Sequence, residues 1–318
     1  MKFMQYILLM VPTNKANQGL INLELPTEMR NAKSAGLHLL AVSEVIDLIN
    51  SEDAYAIEQA SKQTTAVAKL VEAGIQAISS GGSVHYFGAG TSGRLATQDA
   101  AELYPTFHSL AGVVVAHMAG GQAALLTSVE NAEDDVEAGR TGAMALGAGD
   151  LAIGLAASGR TPYVGGALEQ ARSNGAKTGL ISCVPEPQLS IYSDITIAGD
   201  TGPEILTGST RLKAATFQKA VLSSFSTAVM VGLGKTYSNL MVSMVASNEK
   251  LHSRSIRILM EGSGVSEETA IQILEASSGD LKLALTSAIS GESPESIAPV
   301  LKEAGGVVQK ALELINKK

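Results

Sequence analysis

The stretch Ser-Val-His-Tyr-Phe-Gly-Ala-Gly-Thr-Ser-Gly-Arg, residues 83–94, joins a short apolar run to a turn with three glycines, two hydroxyls and an arginine. The apolar run predicts a β-strand, and the amphipathic segment after it predicts a helix that begins at the turn. Its glycines, Gly88, Gly90 and Gly93, match the Gly-x-Gly-x-x-Gly spacing of a dinucleotide loop. However, no acidic residue follows a second strand about 20 positions on, and the Gly-Lys-Ser/Thr ending of a nucleotide P-loop is absent. The stretch therefore predicts a strand–turn–helix unit whose ligand the glycines alone do not identify.

Four further apolar runs indicate that this unit repeats along the chain. They lie at residues 112–121, 150–159, 177–184 and 193–198, and amphipathic segments separate most of them. Alternating strands and helices are typical of a parallel sheet with helices on both faces. The runs are almost continuously apolar, as strands buried on both faces require.

Helical periodicity dominates the chain before and after these runs. Residues 22–80 are predicted to be helical, with one helix from about Ser51 to Ser80 that Gly81-Gly82 ends. Residues 207–250 fit one long helix or two joined helices. The last part, 254–318, is predicted to form a three-helix, UBA-like appendage, and Ser266 is the expected N-cap of its first helix. The predicted organisation is an extension (1–21), a main domain (22–253) and this appendage.

Composition limits the classes of partner and site. The chain has 318 residues, a formal net charge of −8 and 45% hydrophobic residues. An acidic chain without a basic run argues against nucleic-acid binding, where phosphate neutralisation dominates affinity. The single cysteine, Cys183, excludes an internal disulfide, and with five scattered histidines it gives no zinc-site spacing. The short apolar N-terminal stretch lacks a nearby cleavage site and is far below the roughly 20 residues that span a membrane. We therefore expect a cytoplasmic protein with no membrane association.

Two more polar, glycine-rich loops follow predicted strands, at residues 156–164 and 201–213. Ligands of open parallel sheets bind outside the carboxyl ends of the strands. Hydroxyls, free N–H groups and a helix N-terminus together suit a phosphomonoester. An ordinary βα turn with a serine cap is the alternative for the second loop, and the occurrence of two such loops in one sheet disfavours it. The predicted ligand-binding residues are Gly90, Thr91, Ser92, Ser158, Gly159, Arg160, Thr161, Glu204, Ser209, Thr210 and Lys213.

The three loops, in this order, resemble those of the sugar isomerase (SIS) fold, a three-layer αβα architecture. Within that fold the chain resembles the N-acetylmuramic acid 6-phosphate etherases. The segments Thr-Glu-Met-Arg-Asn (27–31), Ser-Glu-Asp (51–53) and Gly-Lys-Thr-Tyr-Ser-Asn-Leu-Met-Val (234–242) also match. The resemblance implies cleavage of a lactyl ether to N-acetylglucosamine 6-phosphate and D-lactate, in amino-sugar catabolism and cell-wall recycling. It also implies a homodimer, and the chemistry requires neither a metal ion nor a redox cofactor.

The same resemblance assigns two glutamates as acid/base groups. Glu102 is expected to protonate the departing lactate and could also remove the C2 proton, and Glu133 takes the complementary role. Without the resemblance, Glu133 would be interpreted as part of a solvated acidic face with Glu130, Asp134 and Glu137. Leu103-Tyr104 departs from the family's usual Cys-Pro, which questions substrate detail more than the type of reaction.

Other functions remain possible on these residues. An aldose–ketose isomerase of the same fold would use a glutamate and a phosphate loop without releasing lactate. A non-catalytic phosphosugar sensor, like the regulators of glucokinase, would bind without turnover, but those regulators are longer, with two such domains. Chain length and the presence of both Glu102 and Glu133 favour an enzyme. His252 is either close to a partner's site or an ordinary surface residue.

Overall fold

The computed structural model of the chain describes residues 25–108, 112–244 and 249–317. Five parallel strands form one sheet in the order β2-β1-β3-β4-β5. The strands are β1 (Val84–Gly88), β2 (Val114–Met118), β3 (Leu151–Leu155), β4 (Lys177–Ser182) and β5 (Ile195–Ala198). All five predicted strands and their parallel arrangement are confirmed.

Helices cover both faces of this sheet, and more helices follow it. They are α1 (Val42–Ser61), α2 (Thr64–Ser79), α3 (Gly90–Phe107), α4 (Ala123–Leu126), α5 (Val136–Ala143), α6 (Pro162–Ser173), α7 (Lys213–Gly232), α8 (Glu249–Ser263), α9 (Glu267–Ala276), α10 (Leu281–Ser290), α11 (Pro294–Glu303) and α12 (Val308–Ile315). Within the described residues, every helix is too short or too polar to cross a membrane.

Neighbouring side chains of β1 show why the strands are apolar throughout. Tyr86 packs edge-on against Phe225 of α7, in the core on one face of the sheet. Phe87 points to the other face and packs in the core formed with α6. Side chains of a strand alternate between faces, so a sheet between two helical layers needs apolar residues on both faces of each strand. Cys183 is fully buried beyond β4, as its apolar surroundings predict.

The N-terminal helical prediction is wrong in two places. Residues 25–40 form turns and short 3-10 segments instead of a regular helix. The helix predicted from Ser51 to Ser80 is divided into α1 and α2 at Lys62-Gln63. The Thr64 hydroxyl donates a 2.8 Å hydrogen bond to the carbonyl of Ser61, and such local bonds compete with the backbone ladder of a helix. The extension at 1–21 lies outside the described residues.

The C-terminal part contains more helices than the three predicted. Ser266 caps α9, as expected, and Asp280 and Ser293 cap α10 and α11. However, α8 already begins at residue 249, and α12 follows Gly305-Gly306, whose positive φ angles end the preceding helix. The segment 207–250 holds α7 and, from Glu249, the first described residues of α8. The domain division at 253/254 stays a prediction, and that position lies within α8.

Candidate active site

The sheet order brings the first two predicted loops together. The strand order reverses between β1 and β3, so the chain leaves these neighbouring strands toward opposite sides. A crevice opens at such a point, beyond the carboxyl ends of the strands, and is the usual ligand site of this kind of sheet. The turn after β1 leads directly into Gly90, Thr91 and Ser92, which form the first turn of α3, and the loop after β3 carries residues 158–161.

The glycines of the first loop have separate roles. A Cβ atom on Gly93 would lie 2.6 Å from the carbonyl oxygen of Gly88, so these two positions let the first turn of α3 touch the end of β1. Gly90 has φ +55°, which a side chain disfavours. The pattern that matches a dinucleotide loop therefore follows from the packing of helix against strand.

Ser92 lies deeper than its predicted role implies. Its hydroxyl donates a 2.8 Å hydrogen bond to Oε1 of Gln218, on α7, and both residues are buried. Thr91 is half-buried beside it. The Ala89 side chain offers no cap to α3, so backbone N–H groups at its first turn are open to an anion.

Like the first loop, the second contains a glycine with a positive φ angle and leads into a helix without a side-chain cap. Gly159 has φ +69°, and a Cβ there would lie 2.5 Å from Cβ of Pro187. Thr161 is the cap residue of α6 but makes no capping hydrogen bond with its side chain, and Pro162 occupies the first turn as predicted. Ser158 and Arg160 are half-buried. A second uncapped helix N-terminus thus lies at the carboxyl edge of the sheet.

The third loop carries two buried charged residues, Glu204 near its start and Lys213 at its end. Glu204 is 1% exposed, and its carboxylate accepts hydrogen bonds from the backbone N–H groups of Lys213 (3.2 Å) and Ala214 (3.0 Å). It therefore caps α7 from the loop. Burial raises the pKa of Glu204, although these hydrogen bonds and the charge of Lys213 act in the opposite direction. Ser209 and Thr210 are half-buried between these residues.

Lys213 pairs with Glu52, a residue that the sequence pattern did not indicate. Its ammonium group bonds to the carboxylate of Glu52, on α1, and each residue is 3% exposed. Glu52 also accepts hydrogen bonds from Asn31 Nδ2 (2.9 Å) and Lys33 Nζ (2.8 Å). Glu52 lies four positions before the fully buried Ala56, so the signal in the sequence is an acidic residue on the apolar face of α1.

Glu133 lines a cavity at this edge, and Glu102 does not. The cavity has a volume of about 390 Å³ and includes Gly90, Met118 and Glu133 in its lining. Arg94 donates to the carbonyls of Ala124 (2.8 Å) and Leu125 (3.1 Å), which fixes α4 at its border. The structure therefore brings Glu133 to the first loop.

Glu102 lies on α3, twelve residues after Gly90, and its side chain is exposed. At a rise of 1.5 Å per residue this separation is about 18 Å along the helix axis. Tyr104, two residues further along α3, is 60% exposed. One chain alone therefore does not place Glu102 in the cavity of Glu133. His252 is exposed on α8, and its closeness to a partner's site stays a prediction.

Across residues 25–108, 112–244 and 249–317, no three His, Cys, Asp or Glu side chains are grouped so that they could hold a metal ion.

Comparisons with known proteins identify the fold and the family of the chain. A family model described as the glucokinase regulatory protein N-terminal SIS domain matches residues 66–172, which together with the parallel sheet confirms the predicted SIS fold. The chain is 50% identical over 260 residues to the N-acetylmuramic acid 6-phosphate etherase of Thermobifida fusca, covering 82% of this chain and 86% of that protein. It is 46% identical over 291 residues to the corresponding etherase of Geobacillus thermodenitrificans, covering 91% of this chain and 99% of that protein. The chain belongs to the family of N-acetylmuramic acid 6-phosphate etherases.

Proposed function

We propose that this protein cleaves the D-lactyl ether of N-acetylmuramic acid 6-phosphate, giving N-acetylglucosamine 6-phosphate and D-lactate. The observation that carries the proposal is the family membership, at 50% identity over most of the chain. The site supports it, because Glu133 lies in a cavity beside the first of three polar loops at the carboxyl edge of the sheet.

The phosphate group is bound, in this proposal, between the first two loops. The N-termini of α3 and α6 both lack a side-chain cap, so their N–H groups and dipoles attract an anion. Thr91, Ser158 and Thr161 add hydroxyl groups at the same edge. Arg160 adds a charge that can pair with phosphate.

The reaction needs proton transfer at two positions. Opening of the sugar ring gives an aldehyde, which acidifies the C2 proton. One carboxylate removes this proton, a carboxylic acid protonates the departing lactate oxygen, and water then adds to the double bond. Glu102 is the proposed acid, with Glu133 in the complementary role, and such groups typically contribute about 10²–10⁴-fold each.

A homodimer would reconcile the positions of the two glutamates. Large apolar side chains are exposed near the N-terminus of α1 and beside Glu102, among them Val42, Ile46 and Tyr104. Exposed apolar surface of this kind marks interaction sites. We propose that a second copy covers it and that Glu102 of each chain serves the cavity of the other.

The charge of the substrate also limits the cellular compartment in which the enzyme can work. A phosphorylated sugar is charged and does not cross a membrane unaided, so the enzyme has to work where the phosphate is added. We propose that this compartment is the cytoplasm, where nucleoside triphosphates supply phosphate.

The test is release of D-lactate from N-acetylmuramic acid 6-phosphate. Wild-type protein should release lactate, and Glu102→Gln and Glu133→Gln should each lower kcat by about 10²–10⁴-fold. Asp134→Asn is the matched control, because it removes a charge next to Glu133 from an exposed position outside the cavity lining. No lactate from the wild type would refute the function, and full activity of either Gln variant would refute that residue's role.

The sensor alternative predicts a different pattern. The observation that favours the sensor alternative is the match to the SIS model of the glucokinase regulatory protein. A sensor would bind N-acetylglucosamine 6-phosphate in calorimetry but convert neither this sugar nor the lactyl ether.

A further inference from the structure

Glu52 is a buried carboxylate that three donors surround. Lys213 lies at the start of α7, and Asn31 and Lys33 lie in the turns before α1. Glu52 itself is 3% exposed, in the middle of α1. A buried carboxylate is costly unless it is paired and hydrogen-bonded, and here all its partners come from other parts of the fold.

The same contacts hold the third loop from two sides. Lys213 directly follows the loop, and its ammonium group lies 5.7 Å from the ring centre of Tyr55. Asn31 uses its side-chain N–H groups on both Glu52 and the carbonyl of Pro203 (3.0 Å), within the loop. Glu52 therefore connects the segment 27–34, helix α1 and both ends of the loop at 203–213.

The charges favour this arrangement over a solvated one. Burial acts to raise the pKa of the Glu52 carboxyl, but the hydrogen bonds and charges of Lys213 and Lys33 outweigh it and lower this pKa. The carboxylate is therefore charged at neutral pH and neutralises the buried Lys213. Without it, the buried ammonium group of Lys213 would lose the carboxylate that it bonds to, and the loop that carries it would have to move.

We infer that Glu52 is a positioning residue, which holds Lys213 and the loop at 203–213 in the shape that binds the phosphorylated amino sugar. This inference rests on the proposed function of the site. It assigns Glu52 no contact with the substrate and no part in proton transfer, because its carboxylate is fully engaged by Asn31, Lys33 and Lys213.

The inference predicts a specific split in the kinetic constants. Glu52→Gln keeps the shape of the side chain but removes the charge that fixes Lys213. The KM for N-acetylmuramic acid 6-phosphate should rise about 10-fold while kcat changes less than about 2-fold, since binding is weakened without loss of an acid or base. Glu58→Gln is the matched control: it is the same substitution on the same helix, at an exposed residue that pairs with Lys62.

A double variant separates positioning from simple stability. Glu52→Gln combined with Lys213→Met removes both buried charges, so the fold should recover thermal stability, yet the KM should stay raised. Glu52→Asp, which keeps the charge, should restore part of the affinity. An unchanged KM in Glu52→Gln would overturn the inference, and so would a double variant with wild-type KM.

The outcome does not depend on turnover. If the wild type released no lactate, the proposed function would fail. The inference would then be tested by the Kd for N-acetylglucosamine 6-phosphate in calorimetry, with the same expected 10-fold weakening by Glu52→Gln, a change of about 1.4 kcal/mol. An equal Kd for Glu52→Gln and Glu58→Gln would refute it.

Discussion

His85 and His117 form a hydrogen-bonded pair between β1 and β2. Nδ1 of His85 lies 2.9 Å from Nε2 of His117, and Nε2 of His85 lies 2.8 Å from the hydroxyl of Ser83. That hydroxyl donates to the carboxylate of Asp150, so it accepts from His85. His85 in its neutral form then has a bare Nδ1, which accepts from the N–H of His117. The bond directions thus fit two neutral imidazoles, with His117 stacked on Phe87.

This pair should make the fold sensitive to acid. Burial, and to a lesser extent His85, lowers the pKa of His117 to about 4, and burial lowers that of His85 despite the opposing charge of Asp150. An unfolded chain takes up these protons near pH 6.5. Between about pH 6.5 and 4 the unfolded state therefore binds more protons, and stability falls as the pH falls.

His117→Gln removes one of these protons but keeps an N–H donor for His85. The variant should lose less thermal stability than the wild type between pH 7 and 4.5, measured by scanning calorimetry. Asp99, whose pKa burial raises to about 6, has the opposite effect on the pH dependence, but it is common to both proteins. His38→Gln, at an exposed position, should leave the pH dependence unchanged. Parallel stability curves for His117→Gln and wild type would contradict this explanation.

At the scale of elements, the contact of α3 with the sheet depends on Gly93. A Cβ there would lie 2.6 Å from the carbonyl oxygen of Gly88 and 2.3 Å from the sulfur of Met118. The backbone oxygen cannot move without disturbing β1, so Gly93→Ala should lower the free energy of unfolding by about 1–3 kcal/mol. Urea denaturation measures this change. Gly147→Ala, where a Cβ meets open space, is the control and should be neutral or slightly stabilising. Equal midpoints for the two variants would contradict the packing argument.

Elements differ in how far local sequence determines them. The strands and the start of α3 could be predicted because an apolar run and a glycine turn act over a few residues. The division between α1 and α2 could not be predicted, because Lys62 and Gln63 are good helix formers. At this break the Thr64 hydroxyl donates a hydrogen bond to the carbonyl of Ser61. Glu52 was missed for another reason. Its partner Lys213 is 161 positions away, and periodicity carries no signal about contacts at that separation.

The position of the two catalytic candidates is a property of the whole molecule. Motif resemblance selected Glu102 and Glu133 together, but the length of α3 separates Glu102 from the cavity that Glu133 lines. In the proposed homodimer, a second copy would cover the surfaces on which Val42 and Tyr104 are exposed. A two-fold dimer presents the same patch on both chains. If one chain contributes a residue to its partner's site, the partner therefore contributes the same residue in return.

Mixing of two inactive variants tests this arrangement. If each cavity uses its own Glu133 and the partner's Glu102, a dimer of one Glu102→Gln chain and one Glu133→Gln chain has one intact site and one site with both substitutions. Random re-pairing makes about half of the dimers mixed, so the mixture should recover about a quarter of wild-type lactate release. Unmixed samples of each variant, treated in the same way, are the controls. If both glutamates acted within one chain, every site in the mixed dimer would carry one substitution, and the mixture would stay as inactive as its components.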